Sequence, residues 1–113
     1  MDNCLFCKII KGDIPSSKVY EDDRIYAFND INPQAPVHIL VVPKQHYSDV
    51  SDISASDDAL CGCVFKKCAE IAKLKGLDSG FRLITNCGED ACQSVKHFHV
   101  HILGGTKLTD KMG

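Results

Sequence analysis

No run of apolar residues in this 113-residue chain approaches the length needed to cross a bilayer. There is no internal repeat and no low-complexity tract, which leaves solenoids and disordered tails aside. Charge of one sign is also scarce: 13 Lys and Arg stand against 15 Asp and Glu, a net of -2. That balance offers no electrostatic case for nucleic acid or for an anionic membrane surface. Met1-Asp2-Asn3-Cys4 has neither the basic region nor the apolar stretch of a secretory signal, so the expected location is cytoplasmic. Seven cysteines, an odd number, exclude a fully paired disulfide framework within one chain.

What is present fits one globular domain over residues 1–113, with 44% hydrophobic and 25% charged residues. The spacing of apolar and turn residues predicts a short helix over Cys4 to Lys11, stopped by Gly12. Strands are expected at Lys18 to Glu21, Arg24 to Phe28, Val37 to Val42, Phe81 to Thr85 and Val95 to Leu103. The segment from Val37 is apolar throughout except His38 and so reads as a central strand. Between them, Cys61, Val64, Phe65, Cys68, Ile71 and Ala72 recur at spacings of three and four. They form the apolar stripe of one main helix, capped near Ser54 and Ser56 and ending at Gly76. The expected fold class is α+β: a five-stranded antiparallel sheet with one main helix and a short N-terminal helix.

The most informative segment is His97-Phe98-His99-Val100-His101-Ile102-Leu103, with three of the five histidines at alternate positions. Successive side chains on a strand point to opposite faces, so the three imidazoles share one face while Phe98, Val100 and Ile102 bury the other. An amphipathic strand with a wet face explains one histidine well and three in register poorly. Three chemistries fit the row: a catalytic metal held by imidazoles, a donor surface for an anionic ligand, and nucleophilic attack at phosphorus. For the last, the central His99 is the natural nucleophile and His101 a donor to the oxygens where charge develops. Gln93-Ser94 immediately before the strand and Asn86 after the previous one add polar groups, although each alone is ordinary loop chemistry. Cys4-x-x-Cys7 is a separate signal, a metal pair, a redox pair or two surface thiols.

The stretch from Gln93 through His97, His99 and His101 to Gly104-Gly105 resembles the signature of the histidine triad family, in its Hint branch. The likeness extends through Phe6-Cys7-Lys8-Ile9-Ile10, Ala27-Phe28-Asn29-Asp30-Ile31, Pro33-Gln34-Ala35-Pro36 and Val41-Val42-Pro43-Lys44-Gln45-His46, in order along nearly the whole chain. The resemblance implies a homodimer of α+β subunits that hydrolyses purine nucleoside phosphoramidates through a nucleotidyl-histidine intermediate. Dinucleoside polyphosphate hydrolysis, or a nucleotide-binding interaction module with incidental catalysis, stand as alternatives.

Carried over by position, His99 matches the nucleophile, while His101 and Ser94 match groups at the α-phosphate or the leaving amine. Asp30 matches the carboxylate that accepts from the ribose hydroxyls. Phe6, Ile9, Phe28 and Ile31 match the walls around the base, and Asn86 and Gln93 polar groups near the phosphate. His38 matches a histidine beside the triad and equally suits a satisfied core position. In bacterial-type relatives the cysteine pair binds structural zinc with two histidines, here His46 and His97. Two thiolates and two imidazoles make a closed tetrahedral set. Where much of the family has two glycines before Gln93, this chain has Ala91 and Cys92. Its C-terminal segment lacks the Trp-Pro-Pro-Gly ending of animal Hint proteins, so leaving-group preference is the property least transferable.

Overall fold

In the computed structural model, which describes residues 3–112, five antiparallel strands form one sheet in the order β1-β2-β3-β5-β4. The strands are β1 (Lys18–Glu21), β2 (Ile25–Asn29), β3 (Val37–Pro43), β4 (Phe81–Ile84) and β5 (Val100–Gly104). The apolar segment read as central is β3, which is the middle strand of the five. Asp22 makes the β1–β2 turn by accepting from the backbone of Arg24 and Ile25, both at 2.8 Å.

The helices are α1 (Leu5–Lys11), α2 (Val50–Ser56) and α3 (Asp58–Leu74). Gly12 ends α1 in a left-handed conformation, φ 86°, which a side chain would resist. The long helix expected from Ser54 is in fact two helices. Asp57 breaks the run at φ -154° and caps α3 by accepting from the Leu60 amide, while Asp49 caps α2 through Asp52. Asp57, one residue after Ser56 and three after Ser54, takes the cap of α3 in place of the serines, so Ser54 and Ser56 lie inside α2.

Alternation along the strands divides the interior in two. Ile25, Ala27, Ile39, Val41, Phe98, Val100 and Ile102 pack with Val64, Cys68, Ile71 and Ala72 of α3. On the other face Phe6 and Ile9 of α1 cover Tyr26, Phe28, Leu40 and Val42. The same face carries the histidines, of which His38, His97 and His99 are buried and His46 and His101 half-buried. The residues Val95 to Leu103 do not form one strand as expected, because the ladder starts at Val100. Ahead of it the backbone bonds elsewhere: the Phe98 amide donates to the Tyr47 carbonyl at 2.6 Å, and the His99 carbonyl accepts from Thr85 Oγ1 at 2.8 Å. The two-residue alternation nevertheless persists through this segment, with Phe98 in the α3 core and His97 and His99 against the Phe6 ring.

Candidate active site and metal centre

All five histidines lie on the α1 side of the sheet, and hydrogen bonds sort them into three environments. His97 is fully buried and lies 2.8 Å, through Nε2, from the Pro43 carbonyl. A carbonyl only accepts, so Nε2 carries the proton and Nδ1 keeps its lone pair. That Nδ1 lies 3.3 Å from Cys4 Sγ, 3.5 Å from Cys7 Sγ and 3.2 Å from His46 Nδ1, and His46 Nδ1 is 3.5 Å from Cys7 Sγ. The four donor atoms all lie within 4.8 Å of one another. The edges of a tetrahedron around a zinc-sized ion would be about 3.3 Å between nitrogens and about 3.6 Å between nitrogen and sulfur. The spacing fits a metal, and the Pro43 carbonyl supplies the second hydrogen bond that orients a ligating imidazole.

The electrostatics agree with that fit. Burial, then the neighbouring Cys4, pushes the Cys7 thiol up to about 11. The Cys7 thiol therefore stays protonated at neutral pH unless a cation binds beside it and expels the proton. Burial lowers His97 to about 4, so its ring is neutral and able to ligate at neutral pH. Local sequence places the pair: Cys4 is the N-cap of α1 and accepts from the Cys7 amide at 3.4 Å, so both sulfurs face the same way.

His99 uses the opposite nitrogen. Its Nδ1 donates to the His97 carbonyl at 2.7 Å, which leaves the Nε2 lone pair without a partner among the described residues. The Phe6 ring stands edge-on to it at 5.0 Å and fixes its plane. Burial lowers the His99 pKa, so the ring is an unprotonated nucleophile or acceptor at neutral pH.

His101 belongs to a proton chain. The Gln34 amide donates to His38 Nδ1 at 3.0 Å, and His38 Nε2 lies 2.9 Å from His101 Nδ1. Since His38 Nδ1 is an acceptor, its proton is on Nε2 and is donated to His101 Nδ1, which places the His101 proton on Nε2. Asp30 Oδ2 lies 3.4 Å from the same His38 nitrogen and holds it from the side. Asp30, His38 and His101 also converge closely enough to be considered as metal ligands. The 2.9 Å contact argues otherwise, because it needs a proton between nitrogens that a metal would require bare. Burial lowers both rings, His101 to about 4, so the chain is neutral.

His99 and His101 open onto a cleft of about 460 Å³ between α1 and the strand ends. Of the residues singled out from sequence it gathers Phe6, Ile9, Phe28, Ile31, Asp30 and Ser94 with the two histidines. Ile31 is 92% exposed, an apolar side chain at a cleft mouth with nothing packed on it. Asp30 Oδ1 accepts from the Asn32 amide at 2.8 Å, which pins the carboxylate at the rim. Two expected residues stand apart. Gln93 is buried and donates to the Ser48 and Val95 carbonyls while accepting from the Gly88 amide, so its polar atoms brace the loop. Asn86 lines a different cleft, on the far side of His101.

Leu5, Ile14, Ser16, Ser17, Asn29, Leu40 and Val95 also line the first cleft and were not anticipated. Leu40 carried a usable signal, since it lies opposite Phe28 in the β2–β3 register. The segment without glycines keeps a glycine-like backbone: Cys92 adopts φ 58°, ψ 41°. A left-handed non-glycine residue there costs about 1 kcal/mol.

A HIT domain model matches residues 11–108. The chain belongs to the HIT family. HitA of Neisseria gonorrhoeae is 44% identical over 104 residues, covering 92% of this chain and 97% of the relative. Among solved structures, a HIT family hydrolase from Clostridium thermocellum superposes with a TM-score of 0.94 at 45% identity, covering 99% of this chain and 98% of that one. A histidine triad protein from Clostridium difficile gives 0.92 at 55% identity, with 99% and 97% covered. A histidine triad nucleotide-binding protein from Candida albicans gives 0.81 at 31% identity, with 98% and 87% covered. The five-stranded antiparallel α+β architecture is thus a HIT architecture, and no helix among the described residues is long and apolar enough to cross a membrane.

Proposed function

We propose that this HIT protein is a hydrolase of the Hint branch, a single-domain cytoplasmic homodimer that cleaves purine nucleoside phosphoramidates at the α-phosphorus. The observation that carries the reading is the opposed protonation of neighbouring histidines: His99 presents a bare Nε2 and His101 a protonated Nε2 to one cleft. A nucleophile and a donor are what displacement at phosphorus needs. The nucleotide-binding relative from Candida albicans supports a nucleotide in the cleft.

In the proposed reaction the base lies among Phe6, Ile9, Phe28 and Ile31, and Asp30 accepts from the ribose hydroxyls. His99 Nε2 attacks phosphorus and forms an N–P bond. The bond to the leaving amine breaks with its electron pair on nitrogen, which takes a proton delivered from solvent through Ser94. His101 donates to a phosphoryl oxygen throughout, held in register by His38. Water then attacks phosphorus, releases one proton and returns the pair to His99 Nε2. Asn86 contacts the phosphate from the far side of His101, and Gln93 positions the loop that carries Ser94.

Cys4, Cys7, His46 and His97 would hold a structural zinc, which supplies no reaction step and ties α1 to the histidine segment. Elemental analysis of protein purified without added metal tests this, with about one zinc per chain expected.

The activity is tested by following adenosine monophosphate release from an adenosine phosphoramidate. Turnover by the wild type and loss of it in His99→Ala are expected. Equal rates in both would overturn the reading. A dinucleoside polyphosphate at the same concentration separates the alternative hydrolase, and nucleotide affinity without turnover would identify an interaction module.

A further inference from the structure

The cleft that His99 and His101 open onto ends, away from them, in side chains that the proposed reaction does not use. Sheet register sets its direction. His101 lies opposite Leu40, Leu40 opposite Phe28, and Phe28 opposite Lys18, the first residue of β1. Paired strands are about 4.8 Å apart, so this row runs about 14 Å from His101 to the edge of the sheet. Leu40 and Phe28 line the cleft along the row, and Ser16 and Ser17, just ahead of Lys18, line it together with Asn29.

Hydrogen bonds fix what these hydroxyls can offer. Asn29 Nδ2 donates to Ser17 Oγ at 2.9 Å, and the Asn29 backbone amide donates to the Ser17 carbonyl at 2.9 Å, which pins Ser17 just ahead of β1. Ser16 Oγ lies 2.7 Å from the hydroxyl of Tyr26, which is buried. The phenol is the stronger acid of that pair and donates. Each serine oxygen thus accepts one bond from the protein and keeps its own proton for a partner in the cleft. The neighbouring cation is engaged elsewhere, with Lys18 Nζ 3.0 Å from Glu21 Oε1. Two neutral donors suit the carbonyl and ring nitrogen of a neutral base better than they suit a phosphate.

We propose that Ser16 and Ser17 read the edge of the base and select a 6-oxopurine over adenine. The inference rests on the hydrolase reading above and adds the identity of the base to it. Guanine presents two adjacent acceptors, O6 and N7, whereas adenine presents N7 beside an amino group that donates. With its phosphorus at His99 and its ribose at Asp30, a nucleotide directs its base along the row towards β1. Guanine then meets a donor at each acceptor, and adenine sets its amino group against a hydroxyl proton. Both serines are exposed at the open end of the cleft, so these bonds compete with water and the preference is modest.

The test compares guanosine, inosine and adenosine phosphoramidates of one amine. Wild-type kcat/KM should favour guanosine and inosine over adenosine by about threefold to tenfold, mostly through KM, because the serines touch no reacting atom. Inosine shares O6 and N7 with guanosine and lacks its 2-amino group, so it assigns the preference to this edge. The ratio should fall towards one when Ser17→Ala is combined with Ser16→Ala, whereas a merely structural role would lower the rates with all three bases by the same factor. Equal rates with all three, a preference for adenosine or for guanosine alone, or a ratio that survives the double variant would overturn the inference alone. No turnover of any compound would overturn the hydrolase reading. Calorimetry with guanosine and adenosine monophosphates would then decide the base preference by itself, tighter binding of the first supporting it and equal binding overturning it.

Discussion

The Cys4–Cys7–His46–His97 group and the Asp30–His38–His101 group lie on one face of one sheet, yet they are built for opposite purposes. In the first, ring nitrogens and thiols converge on a common centre, and burial, then Cys4, pushes the Cys7 thiol up to about 11. In the second, each close contact needs a proton, and the chain runs from the Gln34 amide through His38 to His101. His99 stands between them and belongs to neither. The difference lies in which ring nitrogen each backbone or side-chain neighbour occupies. A carbonyl at Nε2 leaves His97 a bare Nδ1 for the metal proposed above, a carbonyl at Nδ1 leaves His99 a bare Nε2 for the proposed attack, and an imidazole donor at Nδ1 leaves His101 a protonated Nε2.

The largest expected effect breaks the comparison at its centre. His99→Ala should lower phosphoramidate turnover by about 10³-fold or more while leaving nucleotide binding measurable by calorimetry. Next is the metal group. Cys7→Ser, or removal of metal by a chelator, should lower stability to denaturant by about 3–4 kcal/mol, because a ligand that binds only the folded state is lost. In the same variant the proton chain stays intact, so its residual turnover reports how far the two groups are independent.

A smaller effect is expected from His38→Ala. Without a donor at Nδ1, His101 can take either tautomer, and kcat should fall by about tenfold to a hundredfold in a steady-state assay. The pH dependence sharpens the contrast further. His101 titrates at about 4 in the folded chain against an ordinary value of 6.5, so between these the unfolded chain binds more protons. Its contribution to stability is complete above about pH 6.5 and is lost as pH falls towards about 4. Urea unfolding at pH 7.5 and pH 5 should show this loss, and His101→Gln should show less of it. Smallest is Cys92→Gly, which relaxes the left-handed position outside both groups and should add about 0.5–1 kcal/mol in the same assay.

Much of this was legible in the sequence. Alternation in 97–103 placed Phe98, Val100 and Ile102 in the α3 core and the histidines opposite them, even though the ladder covers only Val100–Gly104. Periodicity reports side-chain direction, whereas a ladder depends on partners that another part of the chain supplies, here Tyr47 and Thr85. The C-x-x-C spacing was visible, and the resemblance to bacterial-type relatives named His46 and His97 as its partners, which the fold brings together. The split between α2 and α3 was not legible, because serine and aspartate compete for the same capping role and the sequence alone does not rank them. His38 on an apolar strand read equally as core, since its value lies in a side-chain hydrogen bond to His101, 63 residues further along the chain. Ser16 and Ser17 gave no local signal at all, being ordinary loop residues until Tyr26 and Asn29 of β2 bond them at the end of the cleft.

The division of labour among the three alternate histidines is tested most directly by trapping the reaction. Protein mixed with an adenosine phosphoramidate, denatured within the first turnover at alkaline pH and digested, should carry the nucleotidyl mass on a single histidine, His99, by fragmentation mass spectrometry. A nucleotidyl group on His97 or His101, or steady turnover with no adduct at any time point, would contradict the account.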